Sequence, residues 1–183
     1  MSSKRRRRST ESPLRNFTRH WWPVAVWLFV LRLESTDLAS SKITFGLLYR
    51  IASSVFAQAD PQVLLTLNAV IRKSGHFIGY AILSLLVFRA LKYTRRDQLR
   101  LVLQRRWGVF FRDLWQFNWA VTAVLLTMVA ASLDELHQAT LPSRSGRWQD
   151  VALDTAGAIA MQLLLYARAS HTITLQRKHL DEH

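Results

Sequence analysis

Phe77-Ile78-Gly79-Tyr80-Ala81-Ile82-Leu83-Ser84-Leu85-Leu86-Val87-Phe88 runs without a charge, entered through Lys73 and His76 and left at Arg89. Extended to Gly75–Leu91, it approaches the ~20 residues that a helix needs to cross a bilayer. One such run could equally be a buried core helix. Two more runs of similar length decide for a membrane. One lies at about 115–133, with Val121 to Ala131 its most apolar part. The other lies at about 151–166, short and rich in small residues (Ala152, Ala156, Gly157, Ala158, Ala160), which favours close helix packing in lipid.

Upstream, residues 17–38 make a first span around a short apolar centre, Val24 to Leu31. Trp21, Trp22 and Trp27 suit an interfacial aromatic belt. Pro23 is read as lying near the helix start, where proline is tolerated. Arg32 must snorkel or find a partner. Between this span and the next, Ile43, Leu47, Ile51 and Val55 recur every four residues. That stripe is one face of an amphipathic helix too polar to span, expected at the membrane interface. Asp60-Pro61 reads as a helix cap followed by a first-turn proline.

The fold expected is therefore all-α: a polytopic membrane bundle of four transmembrane helices plus an interfacial amphipathic helix. Its divisions are a basic disordered tail at 1–16, a membrane domain at 17–167 and a polar tail at 168–183. Half of the 183 residues are hydrophobic, yet the net charge is +13, a combination foreign to soluble globular proteins. The basic block Lys4 to Arg8 next to an apolar run reads as a topology signal, and no nucleic-acid partner is expected. An uncleaved anchor is favoured over a removed signal peptide, because Arg32 and Glu34 fall where a cleavage site would be small and neutral. With no cysteine, disulfides and thiolate-held metals are excluded.

Orientation follows from Lys and Arg. Residues 1–20 hold seven, 89–113 hold eight and 168–183 hold three, against six (Lys42, Arg50, Arg72, Lys73, Arg144, Arg147) on the opposite side. Four spans with both termini in the cytoplasm of a bacterial inner membrane satisfy this asymmetry. Three polar stretches then meet at the outer face. His76 and Tyr80 open the second span. Asp134, Glu135, His137 and Gln138 close the third. Asp150 and Asp154 open the fourth. His76 and Tyr80 share a helix face by their i, i+4 spacing, as do Asp134, His137 and Gln138 by i, i+3 and i, i+4, and Asp150 and Asp154.

Carboxylates and imidazoles beside hydrocarbon are costly and rarely incidental. Three readings compete for them. The bland one is an ion-pair network, in which acids neutralise Lys73, Arg144 and Arg147. A divalent metal is a second, but Asp134-x-x-His137 is a thin signal; no metal and no cofactor is expected. The third is acid–base chemistry on a lipid-linked substrate, with an arginine of the turn Pro142–Arg147 gripping a phosphate. The middle of each span reads as apolar, which weighs against a transporter.

Taken together, Lys73-x-x-His76-x-x-x-Tyr80, then Asp134-Glu135-x-His137-Gln138-x-x-x-Pro142-x-Arg144, then Asp150-x-x-x-Asp154-x-x-Gly157 resembles the VanZ-like family of bacterial membrane proteins. Asp154 departs from the family pattern, where Asn is expected, and Ser143 stands where Gly is frequent. The resemblance implies membrane residence and a cell-envelope role. The founding member is associated with tolerance of the glycopeptide teicoplanin, and no reaction follows from the likeness. The residues expected to carry function are His76, Asp134, His137 and Asp150 as a catalytic core. Lys73, Tyr80, Glu135, Gln138, Arg144 and Asp154 are the expected binding residues. The expected partners are the bilayer and an envelope lipid or cell-wall precursor. The alternatives are a membrane hydrolase or transferase, a small transporter and a non-catalytic membrane partner.

Overall fold

A computed structural model describes residues 13–35, 41–55, 60–103, 116–141 and 146–181. Among these the chain is wholly helical: α1 Pro13–Glu34, α2 Ser41–Val55, α3 Pro61–Leu103, α4 Phe117–Gln138 and α5 Trp148–Asp181. Three stretches are long and apolar enough to cross a membrane, Pro61–Thr94, Phe117–Gln138 and Trp148–His171. The first helix is not among them, because Arg19, His20, Arg32 and Glu34 crowd its short apolar centre.

The cap at Asp60 forms as its sequence requires. Its Oδ1 accepts from the Gln62 amide at 2.8 Å, and Pro61 occupies the first helical position, where its missing N–H costs nothing. The helix then runs unbroken for 43 residues, about 65 Å at 1.5 Å per residue. That is twice the hydrocarbon thickness of ~30 Å, so α3 projects beyond the lipid. Two helices outrun their expected boundaries. The first begins at Pro13, inside the expected tail, so Pro23 lies in its interior and breaks the backbone bond to the Arg19 carbonyl. The last continues to Asp181, through most of the expected polar tail.

Helix α3 is the hub, packed against each of the other four, with α4 and α5 also in contact. Its pairing with α1 is antiparallel. Trp21 Nε1 donates to Thr94 Oγ1 at 3.1 Å, and Trp27 Nε1 donates to the Gly79 carbonyl at 2.8 Å. Trp21 and Trp27 thus turn inward rather than into a belt; Trp22 is the exposed one, at 61%. Helices α3 and α5 run parallel. His76 meets Asp154, and two turns on Ser84 meets Gln162, both at a sequence offset of 78.

The interior combines large side chains such as Tyr80, Leu83 and Phe88 with small ones. Ala90, Ala123, Ala131 and Ala158 are fully buried, while Phe29, Leu133 and Leu163 point outward. Hydrocarbon solvates Leu as well as a protein core does, so helices in lipid associate through small residues and hydrogen bonds, with large apolar groups facing out. Only part of the small-residue stripe on α5 packs this way. Gly157 and Ala158 are buried, whereas Ala152, Ala156 and Ala160 are exposed.

Candidate functional site

Polar residues from four helices collect at one end of the bundle. Ser35 ends α1, His76 and Tyr80 precede the middle of α3, Asp134 to Gln138 close α4, and Asp150 and Asp154 open α5. The collection divides into two parts that differ in how fully their groups are satisfied.

The first part centres on Asp134. Its Oδ2 accepts from Ser35 Oγ, from Gln138 Nε2 at 3.0 Å and from Tyr80 Oη at 3.3 Å. Its Oδ1 lies 3.7 Å from Arg32 Nη1. Gln138 Nε2 also reaches Ser35 Oγ at 3.3 Å. A carboxylate with three donors and a guanidinium is well accommodated in a buried place. Such a group holds helices together: it ties α1, α3 and α4 through one side chain. Arg32 thus has the partner its position demanded.

The second part centres on Asp154, which is only 1% exposed. Its Oδ2 lies 3.6 Å from His76 Nδ1, beyond ordinary hydrogen-bond length. Neither of its carboxylate oxygens, nor His76 Nδ1, has a hydrogen-bond partner among the described residues. The His76 ring stacks on Tyr80 with centroids 6.2 Å apart, which joins the two parts. An open cleft of about 180 Å³ adjoins the pair. Ala69, Arg72, Lys73 and His76 of α3 line it, with Glu135 and Gln138 of α4 and Asp150 and Asp154 of α5.

Two glycines fix this geometry. A Cβ on Gly157 would lie 2.3 Å from the Phe77 carbonyl oxygen, so α5 presses on the α3 backbone one turn below Asp154. A Cβ on Gly146 would lie 2.4 Å from the Glu135 carbonyl oxygen. That close approach lets the Arg147 amide donate to Glu135 Oε2 at 3.0 Å, which steers the acid toward the cleft.

Of the residues expected from sequence, Lys73, His76, Tyr80, Asp134, Glu135, Gln138, Asp150 and Asp154 gather here. His137 does not join them. It is half-buried, and its imidazole forms no hydrogen bond or ion pair with the cluster. The i+3 position turns about 60° away from Asp134, while i+4 stays within about 40°, which is why Gln138 takes part instead. Arg144 lies outside the described residues. Arg147 contributes its backbone amide, and its exposed side chain forms no ion pair with an acid among the described residues. Among the described residues no three His, Asp or Glu side chains are placed to hold a metal ion.

Sequence reading missed Ser35 and Arg72. Ser35 had a signal: it directly follows the end of α1 that meets the cluster, about one turn after Arg32. It also missed a polar pair within the spans. Gln162 Nε2 donates to Ser84 Oγ at 2.8 Å, and both residues are buried. The span centres are therefore not wholly apolar.

A family model described as VanZ/LLP1 matches residues 17–169. No curated protein and no solved structure matches the chain. The match takes in every helix that supplies the cluster.

Proposed function

The chain belongs to the VanZ/LLP1 family, and from that premise we propose that it is an integral protein of the bacterial inner membrane acting at the cell envelope. In this reading α1 is a fourth span, with α2 lying at the interface. The support for α1 is its antiparallel packing along α3, with Trp21 at Thr94 and Trp27 at Gly79. Both termini are cytoplasmic, and the polar cluster opens on the extracytoplasmic face. The Lys and Arg asymmetry favours this orientation.

The activity proposed is binding or modification of an envelope component in the cleft. One observation carries it: Asp154 is buried, without a hydrogen-bond donor among the described residues, and borders an open cleft. A buried acid whose histidine neighbour stands at 3.6 Å, beyond ordinary hydrogen-bond length, is costly, and such groups concentrate where a ligand supplies a donor. Asp134 is a positioning residue in this scheme. His76, Glu135, Asp150 and Asp154 face the ligand. An acid–base role for His76 with Asp154 is the enzymatic version, a membrane hydrolase or transferase.

The test replaces His76 by Ala and Asp154 by Ala in the native host. Glycopeptide sensitivity and the envelope lipids that accumulate are then scored, with membrane levels of protein verified. A changed envelope phenotype is expected from both. Wild-type behaviour from both, at normal protein levels, would reduce the cluster to a structural network and favour a non-catalytic membrane partner.

A further inference from the structure

The cleft carries both charge signs. Its lining takes Arg72, Lys73 and His76 from α3, and Glu135, Asp150 and Asp154 from α4 and α5. The α3 stripe follows from spacing, since residues 69, 72, 73 and 76 lie on one helical face. The acidic lining is assembled from two helices, which no local pattern requires. An anion alone would meet three carboxylates here. A cation alone would meet Lys73, exposed in the same lining. A ligand bearing both charges satisfies both sets.

The missing chemistry narrows the class. Both Asp154 oxygens need donors, and a primary ammonium brings three N–H groups, whereas a quaternary one brings none. Lys73 offers a point charge of the kind that holds phosphate. A cleft of about 180 Å³ has room for a few waters or a compact polar group, not for a glycan. Trp148, 75% exposed and two residues before Asp150, is the kind of residue that marks headgroup depth.

We propose that the cleft is a binding site for a phosphoethanolamine group, its ammonium held by Asp154 with Glu135 and Asp150, its phosphate by Lys73 with Arg72. This rests on the ligand-binding reading above and adds the ligand class. The group could arrive as a lipid headgroup or as a water-soluble ester, which share this chemistry.

The full-length protein, purified in detergent, is titrated with four probes, and binding is read by native mass spectrometry and thermal shift. The probes are phosphatidylethanolamine, phosphatidylcholine, phosphatidylglycerol and glycerophosphoethanolamine. Phosphatidylethanolamine is expected to bind at least about tenfold more tightly than the choline or glycerol lipids. Asp154→Asn and Lys73→Gln should each weaken it by a similar factor. Lys73 is exposed, so its variant reports on binding even where the Asp154 variant folds poorly. Competition by glycerophosphoethanolamine supports the site with a soluble ligand; binding of the lipid without such competition supports it with a bilayer one. Equal binding of all three lipids, or an unchanged affinity in Lys73→Gln, overturns the proposal. If that happens while His76→Ala still alters the envelope, the ligand class fails and the broader reading survives. If headgroup selectivity holds but no envelope phenotype exists, the broader reading fails instead.

Discussion

Gly157 presses against Phe77 so closely that a methyl group on its α-carbon would stand 2.3 Å from the Phe77 carbonyl oxygen. Backbone cannot yield as a flexible side chain can. Gly157→Ala is therefore expected to force α5 from α3 and cost about 1–3 kcal/mol, the usual range for overpacking. Gly75→Ala provides the contrast. Nothing lies within 4 Å of its added methyl, and helix propensity favours alanine by about 1 kcal/mol. Thermal unfolding in detergent should lower the midpoint of the first variant and leave that of the second equal or higher. Equal midpoints for both would mean that the helices are not in contact at this depth.

The Asp134 network makes a graded prediction. Asp134→Leu strands Ser35, Tyr80, Gln138 and Arg32 together, and removing one member of a buried charged group typically costs about 3–5 kcal/mol. Ser35→Ala removes one donor of several and should cost about 1 kcal/mol. Arg32→Gln should cost least, below about 1 kcal/mol, because a half-exposed ion pair is screened by solvent. Unfolding of the three proteins in one detergent gives the order. A larger loss for Arg32→Gln than for Asp134→Leu would contradict the hydrogen-bond assignment.

The Ser84–Gln162 pair predicts non-additivity. Ser84→Ala alone leaves the Gln162 side chain without its 2.8 Å partner, and hydrogen bonds between membrane helices average about 0.6 kcal/mol. Replacing both, Ser84→Ala with Gln162→Leu, removes the unmatched amide as well, including an Oε1 that has no hydrogen-bond partner among the described residues. The double variant should be more stable than the sum of the single losses implies. Strict additivity in a double-mutant cycle would show that the two side chains do not communicate.

Orientation is tested by reporter fusion. A phosphatase reporter placed after Arg144 should be active, as an extracytoplasmic enzyme is, and one placed after Arg105 should be silent. The reverse pattern would put the cleft on the cytoplasmic face and remove the headgroup of the outer leaflet as its ligand.

Much of this was legible before any tertiary structure. The Asp60-Pro61 cap, the start of α3 and the stretches able to cross a membrane follow from local chemistry: a side-chain oxygen aimed at the second amide, and apolar runs of the right length. That the polar groups of α3, α4 and α5 share one end followed from counting crossings. Helix ends were less legible. The expected tails at 13–16 and 168–181 are helical, because polar residues continue a helix once one is nucleated.

Sequence by itself determined that acids and imidazoles meet at one end of a helical bundle, since spacing along a helix and alternation of crossings are local properties. Tertiary structure alone decided which acid each helix meets. The roughly 100° between i+3 and i+4 sent Gln138 inward and left His137 aside. The glycine contact at Phe77 set the register of α5 on α3. The end of α1 brought Ser35 to Asp134. Those choices depend on axial rotation and on contacts between distant segments, and they leave Asp134 with three donors and Asp154, among the described residues, with no hydrogen-bond donor.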